Sequence, residues 1–292
     1  MEEKIKLGLP KGSLEASTVK MFNKAGFNVK IKERSYFPSI DDAEIECVLL
    51  RAQEMSRYVA DGALDCGITG NDWICENNSD VERLCDLEYA KQSLLPVRWV
   101  VAVPESCGIR KIKDLEGKLI ATELVNVTKA FLKKNKVKAK VEFSWGATEV
   151  KVRAGMVDAI VELTETGSSL RANRLIEIAT VCTSTTQFIA NKTSYRNNFK
   201  KRKMQEIIML LKGAILSESK VGLKMNVPKG SLKKIISLLP ALREPTVSSL
   251  TQENWCAIET IINEFDVRRL IPRLREAGAE GIIEYPLNKV IY

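Results

Sequence analysis

Residues 157–170 read VDAIVELTETGSSL, and no other stretch limits the possible folds so strongly. An apolar, β-branched run centred on Ile160 and Val161 ends in an acid, Glu162. A short polar loop follows, Thr164-Glu165-Thr166-Gly167-Ser168-Ser169, and Leu170 with Arg171-Ala172-Asn173 then opens a helix. A buried strand that hands a small-residue loop to a helix start is the repeating unit of α/β proteins. Gly167 permits close backbone approach, while Thr166, Ser168 and Ser169 add hydroxyl donors to the backbone N–H groups and the helix dipole. Such a loop suits a phosphate. The same residues also make an ordinary βα turn with a serine cap.

The βα rhythm extends to both sides. Strands are predicted over 4–9, 44–50 and 63–70, with helices over 15–25 and 53–61 and another opening at Asn71-Asp72-Trp73. The pattern changes around Leu87 to Val97. Strands then follow at 98–104, 118–122, 139–143, 176–183 and 186–190, with a basic helix over 124–134 and a short one after Gly146. Two α/β lobes with a cleft between them is the economical arrangement, with ligands at the carboxyl ends of the strands. Lys11, Arg51 and Asp72 fall on that rim. Residues 199–217 read as one long amphipathic helix. Beyond Ser219 come strand 221–227, helix 232–239, a strand region after Pro245-Thr246-Val247, strand 255–262, helix 267–277 and strand 281–286. This βαββαβ order is that of a ferredoxin-like module. Pro-Lys-Gly-Ser-Leu occurs at 10–14 and again at 228–232, so at least one copy is a plain turn.

Composition narrows the chemistry. The chain has 292 residues and no histidine, which excludes histidine triads, histidine metal sites and imidazole acid–base catalysis. Its seven cysteines form no CxxC pair, which suggests reduced thiols in a cytoplasmic protein. No apolar run approaches the length of a membrane span, and no signal peptide is visible. A net charge of +8 suits polyanions. Aromatics are only 6%, leaving no stacking platform, so small phosphorylated molecules are expected and nucleic acid is not. The densest basic cluster, 200–203, reads as a solvated loop or helix start.

LGLPKGSL, Leu50-Arg51, DCGITGNDW, IATE, GATEV and DAIVELTETGSSLRANRL together resemble the catalytic lobes of the ATP phosphoribosyltransferases. MNVPKGSLKKIISLLPALREPT and AGAEGIIEYPLNKV resemble the regulatory tail of that family's long form. The resemblance covers essentially the whole chain. It implies a two-lobed, periplasmic-binding-protein-like catalytic unit, with lobe I at 1–95 and 184–217 and lobe II at 96–183. A ferredoxin-like regulatory domain would occupy 218–292. The implied reaction joins N1 of the adenine of ATP to C1 of phosphoribosyl pyrophosphate, with Mg2+ on the substrate diphosphate and no protein metal site.

The resemblance also implies roles. Glu162, Thr164, Glu165, Thr166, Gly167, Ser168, Ser169 and Leu170 fall on the phosphoribosyl-pyrophosphate motif. Lys11 and Arg51 fall on catalytic and nucleotide positions, and Asp72 and Glu149 on nucleotide positions. Asn226, Leu242, Glu244, Thr246, Ile261 and Gly281 fall on a pocket for L-histidine as inhibitor. Glu162 stands where most relatives have Asp, Ser13 where many have Arg, Asn71 where many have Lys or Arg, and Asn226 where an acid is common. Dimers and hexamers are implied. Residue by residue, plainer readings stand beside these: a helix cap for Asp72, a surface position for Glu149 and an ion pair with Glu54 for Arg51. Another phosphoribosyltransferase and a two-lobed solute-binding protein remain as alternatives.

Overall fold

The computed structural model describes residues 3–87, 96–240 and 244–291. The chain divides into two compact units, one of Met1–Asn23 and Phe27–Ile208, the other of Lys24–Gly26 and Met209–Tyr292.

The first unit opens with β1 (Ile5–Lys11), α1 (Glu15–Ala25), β2 (Ile45–Arg51), α2 (Ala52–Ala60), β3 (Cys66–Gly70), α3 (Asn71–Glu76) and β4 (Glu82–Leu87). A second series follows, β5 (Val97–Pro104), β6 (Leu119–Thr122), α4 (Val125–Lys134), β7 (Lys140–Phe143), α5 (Thr148–Arg153), β8 (Ala159–Thr164), α6 (Ser168–Ala172) and β9 (Leu175–Ser184). The chain then returns through β10 (Thr186–Ala190) and α7 (Lys192–Arg196) to α8 (Asn198–Ser217), which runs on into the second unit.

Two five-stranded sheets result, ordered β2-β1-β3-β10-β4 and β7-β6-β8-β5-β9. In each, three strands run parallel and the fourth, β10 or β5, is antiparallel to both neighbours. That fourth strand follows a crossing from the other sheet in both cases. Two lobes joined by two crossings form the expected periplasmic-binding-protein-like unit. Alternation explains why β5 is apolar from Trp99 to Val103: Trp99, Val101 and Val103 pack into one buried cluster, Val100 and Ala102 into another on the opposite face. In the first sheet Gly8 and Gly67 are register neighbours. Both lack a side chain where Met55 of α2 packs, since a Cβ at Gly8 would lie 2.2 Å from its Sδ.

The second unit continues with β11 (Lys220–Pro228), α9 (Leu232–Leu238), β12 (Thr246–Ser249), β13 (Trp255–Asn263), α10 (Glu264–Glu276) and β14 (Glu280–Pro286). The antiparallel order β12-β13-β11-β14 is that of a ferredoxin-like sheet. Val221, Leu223, Met225 and Val227 alternate inward, with Ile258 and Ile262, against Ile235, Val267, Leu270 and Leu274 of the helices.

Four features differ from expectation. β4 and α7 were not anticipated, and β8 runs two residues past Glu162. The basic cluster does start a helix, but not a wholly solvated one: Lys203 is buried and bridges Asp42 and Glu44 at 2.6 Å, and Lys200 pairs with Asp65 at 2.7 Å. The change of pattern around Leu87 to Val97 falls mostly on residues 88–95, and Leu242 on 241–243; both lie outside the described residues. No helix among the described residues is long and apolar enough to cross a membrane.

Candidate active site

The carboxyl ends of the parallel strands meet in one cavity of about 570 Å3 between the two sheets. Its first wall is cationic. Parallel pairing puts Lys11 and Arg51 side by side as the last register pair of β1 and β2. Lys11 Nζ lies 3.8 Å from the centre of the Tyr36 ring. Arg51 precedes the first turn of α2, and Glu54 pairs with Arg57, not with Arg51. Among the described residues Arg51 has no ion-pair partner.

The opposite wall is acidic, with Glu123, Glu162 and Glu165 lining the same cavity. Burial pushes the Glu162 carboxyl above its ordinary pKa; the Thr148 hydroxyl, which donates to it, opposes the rise, and Glu149 and Glu123 add to it. One contact spans the mouth, Gln53 Nε2 donating to Glu123 Oε2 at 3.4 Å.

Asp72 also lines the cavity and is only 5% exposed, and protein groups donate three hydrogen bonds to its carboxylate. Its Oδ2 accepts Trp99 Nε1–H at 2.6 Å, and its Oδ1 accepts Ser184 Oγ at 2.9 Å and the Trp73 N–H at 3.0 Å. Asp72 is not the helix cap, a position held by Gly70. Burial raises its pKa, against the pull of the Trp99 and Ser184 bonds.

The hydroxyl loop adjoins this cavity; of the motif, Glu162 and Glu165 are in the lining and Thr164, Thr166, Gly167, Ser168, Ser169 and Leu170 are not. Gly167 is left-handed at φ 73°, a conformation that favours glycine. Its N–H donates to Thr164 Oγ1 at 2.8 Å, and the Thr166 hydroxyl donates to Ser168 Oγ at 3.1 Å. Ser169 Oγ donates to Glu149 Oε1 at 2.7 Å, so Glu149 braces the loop from α5. Leu170 is buried in the lobe core.

Trp99, Ser184, Gln53 and Thr148 were missed as site residues, and each acts through a partner distant in sequence. Glu123 does end the IATE motif, which was the available signal for it.

A family model described as ATP phosphoribosyltransferase matches residues 51–213, and one for the HisG C-terminal domain matches residues 217–289. An ATP phosphoribosyltransferase of Thermodesulfovibrio yellowstonii is 59% identical over 292 residues, the full length of both chains. One from Chlorobium phaeobacteroides is 56% identical over 291 residues, covering 100% of this chain and 99% of that one. The chain belongs to the ATP phosphoribosyltransferase family. It is therefore a transferase of the first step of histidine biosynthesis. Among solved structures it is similar to a chain of the ATP phosphoribosyl transferase (HisG:HisZ) complex from Thermotoga maritima. That match has a TM-score of 0.61 and 26% identity, covering 71% of this chain and 98% of that one.

Within the ATP phosphoribosyltransferase tail, Asn226, Thr246 and Ile261 lie on the sheet face turned away from α9 and α10, by register and alternation. Asn226 is beside Gly281, where a Cβ would lie 3.6 Å from Asn226 Nδ2. Ile261 pairs with Gly222, four residues along β11 from Asn226, and Thr246 pairs with Glu259. Glu244 is exposed just before β12. The tail thus brings Asn226 and Gly281 close together and spreads Thr246 and Ile261 across the same face.

Proposed function

We propose that the cleft aligns ATP with phosphoribosyl pyrophosphate by dividing their charged groups between its two walls. The lone pair of adenine N1 attacks C1 of the ribose. The N1–C1 bond forms, the bond from C1 to the diphosphate oxygen breaks, and pyrophosphate leaves with the electron pair. N1 needs no prior deprotonation, so a histidine-free site loses nothing; alignment and charge neutralisation are the main tasks. Thr166, Gly167, Ser168 and Ser169 hold the 5′-phosphate, with Thr164, Glu165 and Leu170 shaping the loop, and Glu162 accepts from the ribose hydroxyls. Lys11 and Arg51 meet the nucleotide phosphates and the departing diphosphate. Asp72 and Glu149 serve the nucleotide region, Asp72 by holding Trp99 in place, and Glu149 also braces Ser169 of the phosphate loop.

A bare diphosphate would meet like charge at Glu123, Glu162 and Glu165. Mg2+ carried on the diphosphate relieves that repulsion and neutralises the leaving group. The observation that carries this reading is the Lys11–Arg51 register pair facing the strand end that bears Glu162 across one cavity. The test is to mix both substrates with Mg2+ and follow adenine absorbance and pyrophosphate release. No turnover with ATP or any other purine nucleotide would sink it; pyrophosphate release with a different base would favour another phosphoribosyltransferase.

The reading extends to the rest of the chain. Residues 218–292 serve as a sensor for free L-histidine on the open sheet face, inhibiting catalytic lobes built from 1–95 with 184–217 and from 96–183. The ligand's polar groups fit Asn226, Glu244, Thr246 and the backbone at Gly281, and Ile261 covers the ring together with Leu242. The chain assembles as dimers and hexamers of itself and binds neither nucleic acid nor membrane. Its seven free cysteines support a cytoplasmic location.

A further inference from the structure

One short helix of the first lobe makes three attachments to the second. On α3, Asp72 and Glu76 are four residues apart and share a face. Asp72 takes the Trp99 indole N–H, and the Trp73 ring meets the Trp99 ring edge-on at 6.0 Å and 90°. Glu76 reaches further. Its Oε1 accepts the backbone N–H of Asn126 and its Oε2 that of Val127, both at 2.9 Å, and Asn126 Nδ2 donates back to the Glu76 carbonyl at 2.9 Å.

Those two N–H groups belong to the first turn of α4, where a helix leaves its amides without internal partners. The cap residue of α4 is Leu124, which is buried and offers no side-chain hydrogen bond. A carboxylate from the other lobe fills that need and complements the helix dipole. Glu76 is itself only 9% exposed. Immediately before Leu124 stands Glu123, which lines the cavity and receives Gln53 across its mouth. The start of α4 is therefore fixed from the first lobe, and with it the acidic wall.

We infer that Glu76 is a positioning residue for the transfer reaction: by capping α4 from the other lobe it sets the acidic wall in register with Lys11 and Arg51. This rests on the reading that phosphoribosyl pyrophosphate sits on the hydroxyl loop. The contacts of that loop to phosphate and ribose all lie in the second lobe, so binding there does not depend on the register between lobes. Alignment with adenine N1 does. Loss of the Glu76 link accordingly lowers kcat by more than it raises KM for phosphoribosyl pyrophosphate.

The experiment compares wild type, Glu76→Ala and Glu76→Gln in the full chain, at a temperature well below the lowest melting point. Glu76→Ala is expected to lower kcat by on the order of ten- to a hundredfold, the cost of misaligned reactants. KM for phosphoribosyl pyrophosphate should rise by less than that factor, since its phosphate and ribose contacts stay within the second lobe and only the contacts of its diphosphate to Lys11 and Arg51 depend on the register. Glu76→Gln keeps one acceptor oxygen and should recover part of the loss. Asp65→Asn, a destabilising change elsewhere in the first lobe, should leave kcat unchanged. If Glu76→Ala fails to fold, Glu76→Gln carries the comparison. Wild-type kcat in the folded variants, or a tenfold rise in KM with kcat intact, overturns the inference. A wild-type protein without turnover would instead refute the reading of the site.

Discussion

At Gly70 a methyl group would lie 2.0 Å from Asp72 Oδ1, an oxygen already held by Ser184 and Trp73. Gly70→Ala should force the carboxylate from Trp99 and cost about 1–3 kcal/mol for the unmade buried bond. Urea unfolding and a shifted tryptophan emission would check it; an unchanged midpoint would contradict it. Asp65 offers a test by pH. Burial alone would raise its pKa, but Lys200, Ser194 and the Lys6 amide outweigh burial and hold it below the ordinary value. A depressed folded pKa means that the unfolded chain binds the proton more readily. Stability from Asp65 is therefore present above the ordinary carboxylate pKa, about 4, and is lost as pH falls through the folded value. Asp65→Asn should unfold more easily than wild type at pH 7, with the gap closing toward pH 3. At Gly167 the backbone φ is 73°, and a Cβ would lie 2.8 Å from Arg171 Nη1 and 3.0 Å from Glu177 Oε1. Gly167→Val should abolish phosphoribosyl-pyrophosphate binding by calorimetry while the circular dichroism spectrum persists.

Elements that bury one face or both were legible in the sequence; elements that depend on remote partners were not. The stretch 98–104 reads as a strand because its run from Trp99 to Val103 is covered on both faces. β4, with Glu82, Arg83 and Asp86 among its six residues, carries too little apolar pattern and exists through pairing with β10, a hundred residues later. α7 is five residues long and is capped by Asn191, whose side chain accepts from Thr193 and Ser194. The hydroxyl loop was readable in composition but not in its internal bonds. Thr164 ends β8, is buried, and holds the Gly167 N–H. Thr164→Val keeps the shape and removes the acceptor, at a cost of about 1–3 kcal/mol. It should weaken phosphoribosyl-pyrophosphate binding more than it weakens ATP binding, which separate titrations would reveal. Equal effects on both would detach the loop from that substrate. Glu76 carries no local signal at all, since the amides it caps lie fifty residues downstream.

At the scale of the whole molecule, the second unit has its own core and a sheet with one face turned away from its helices. If L-histidine binds there, it stabilises the folded chain by mass action, and millimolar histidine should raise the melting temperature and suppress turnover. Asn226→Ala should remove both effects; a wild-type protein indifferent to histidine would remove the sensor reading and leave the catalytic one standing. The two crossings between sheets have a further consequence, in the order of assembly. The sheet β7-β6-β8-β5-β9 draws every strand from residues 97–184, whereas β2-β1-β3-β10-β4 lacks an interior strand until residue 190. During synthesis the lobe begun second is therefore the first that can be completed, and the N-terminal strands wait with an unpaired edge. Hydrogen exchange on chains arrested in synthesis before β10 has emerged should find amides of β5 and β8 protected and those of β3, whose partner is still missing, open.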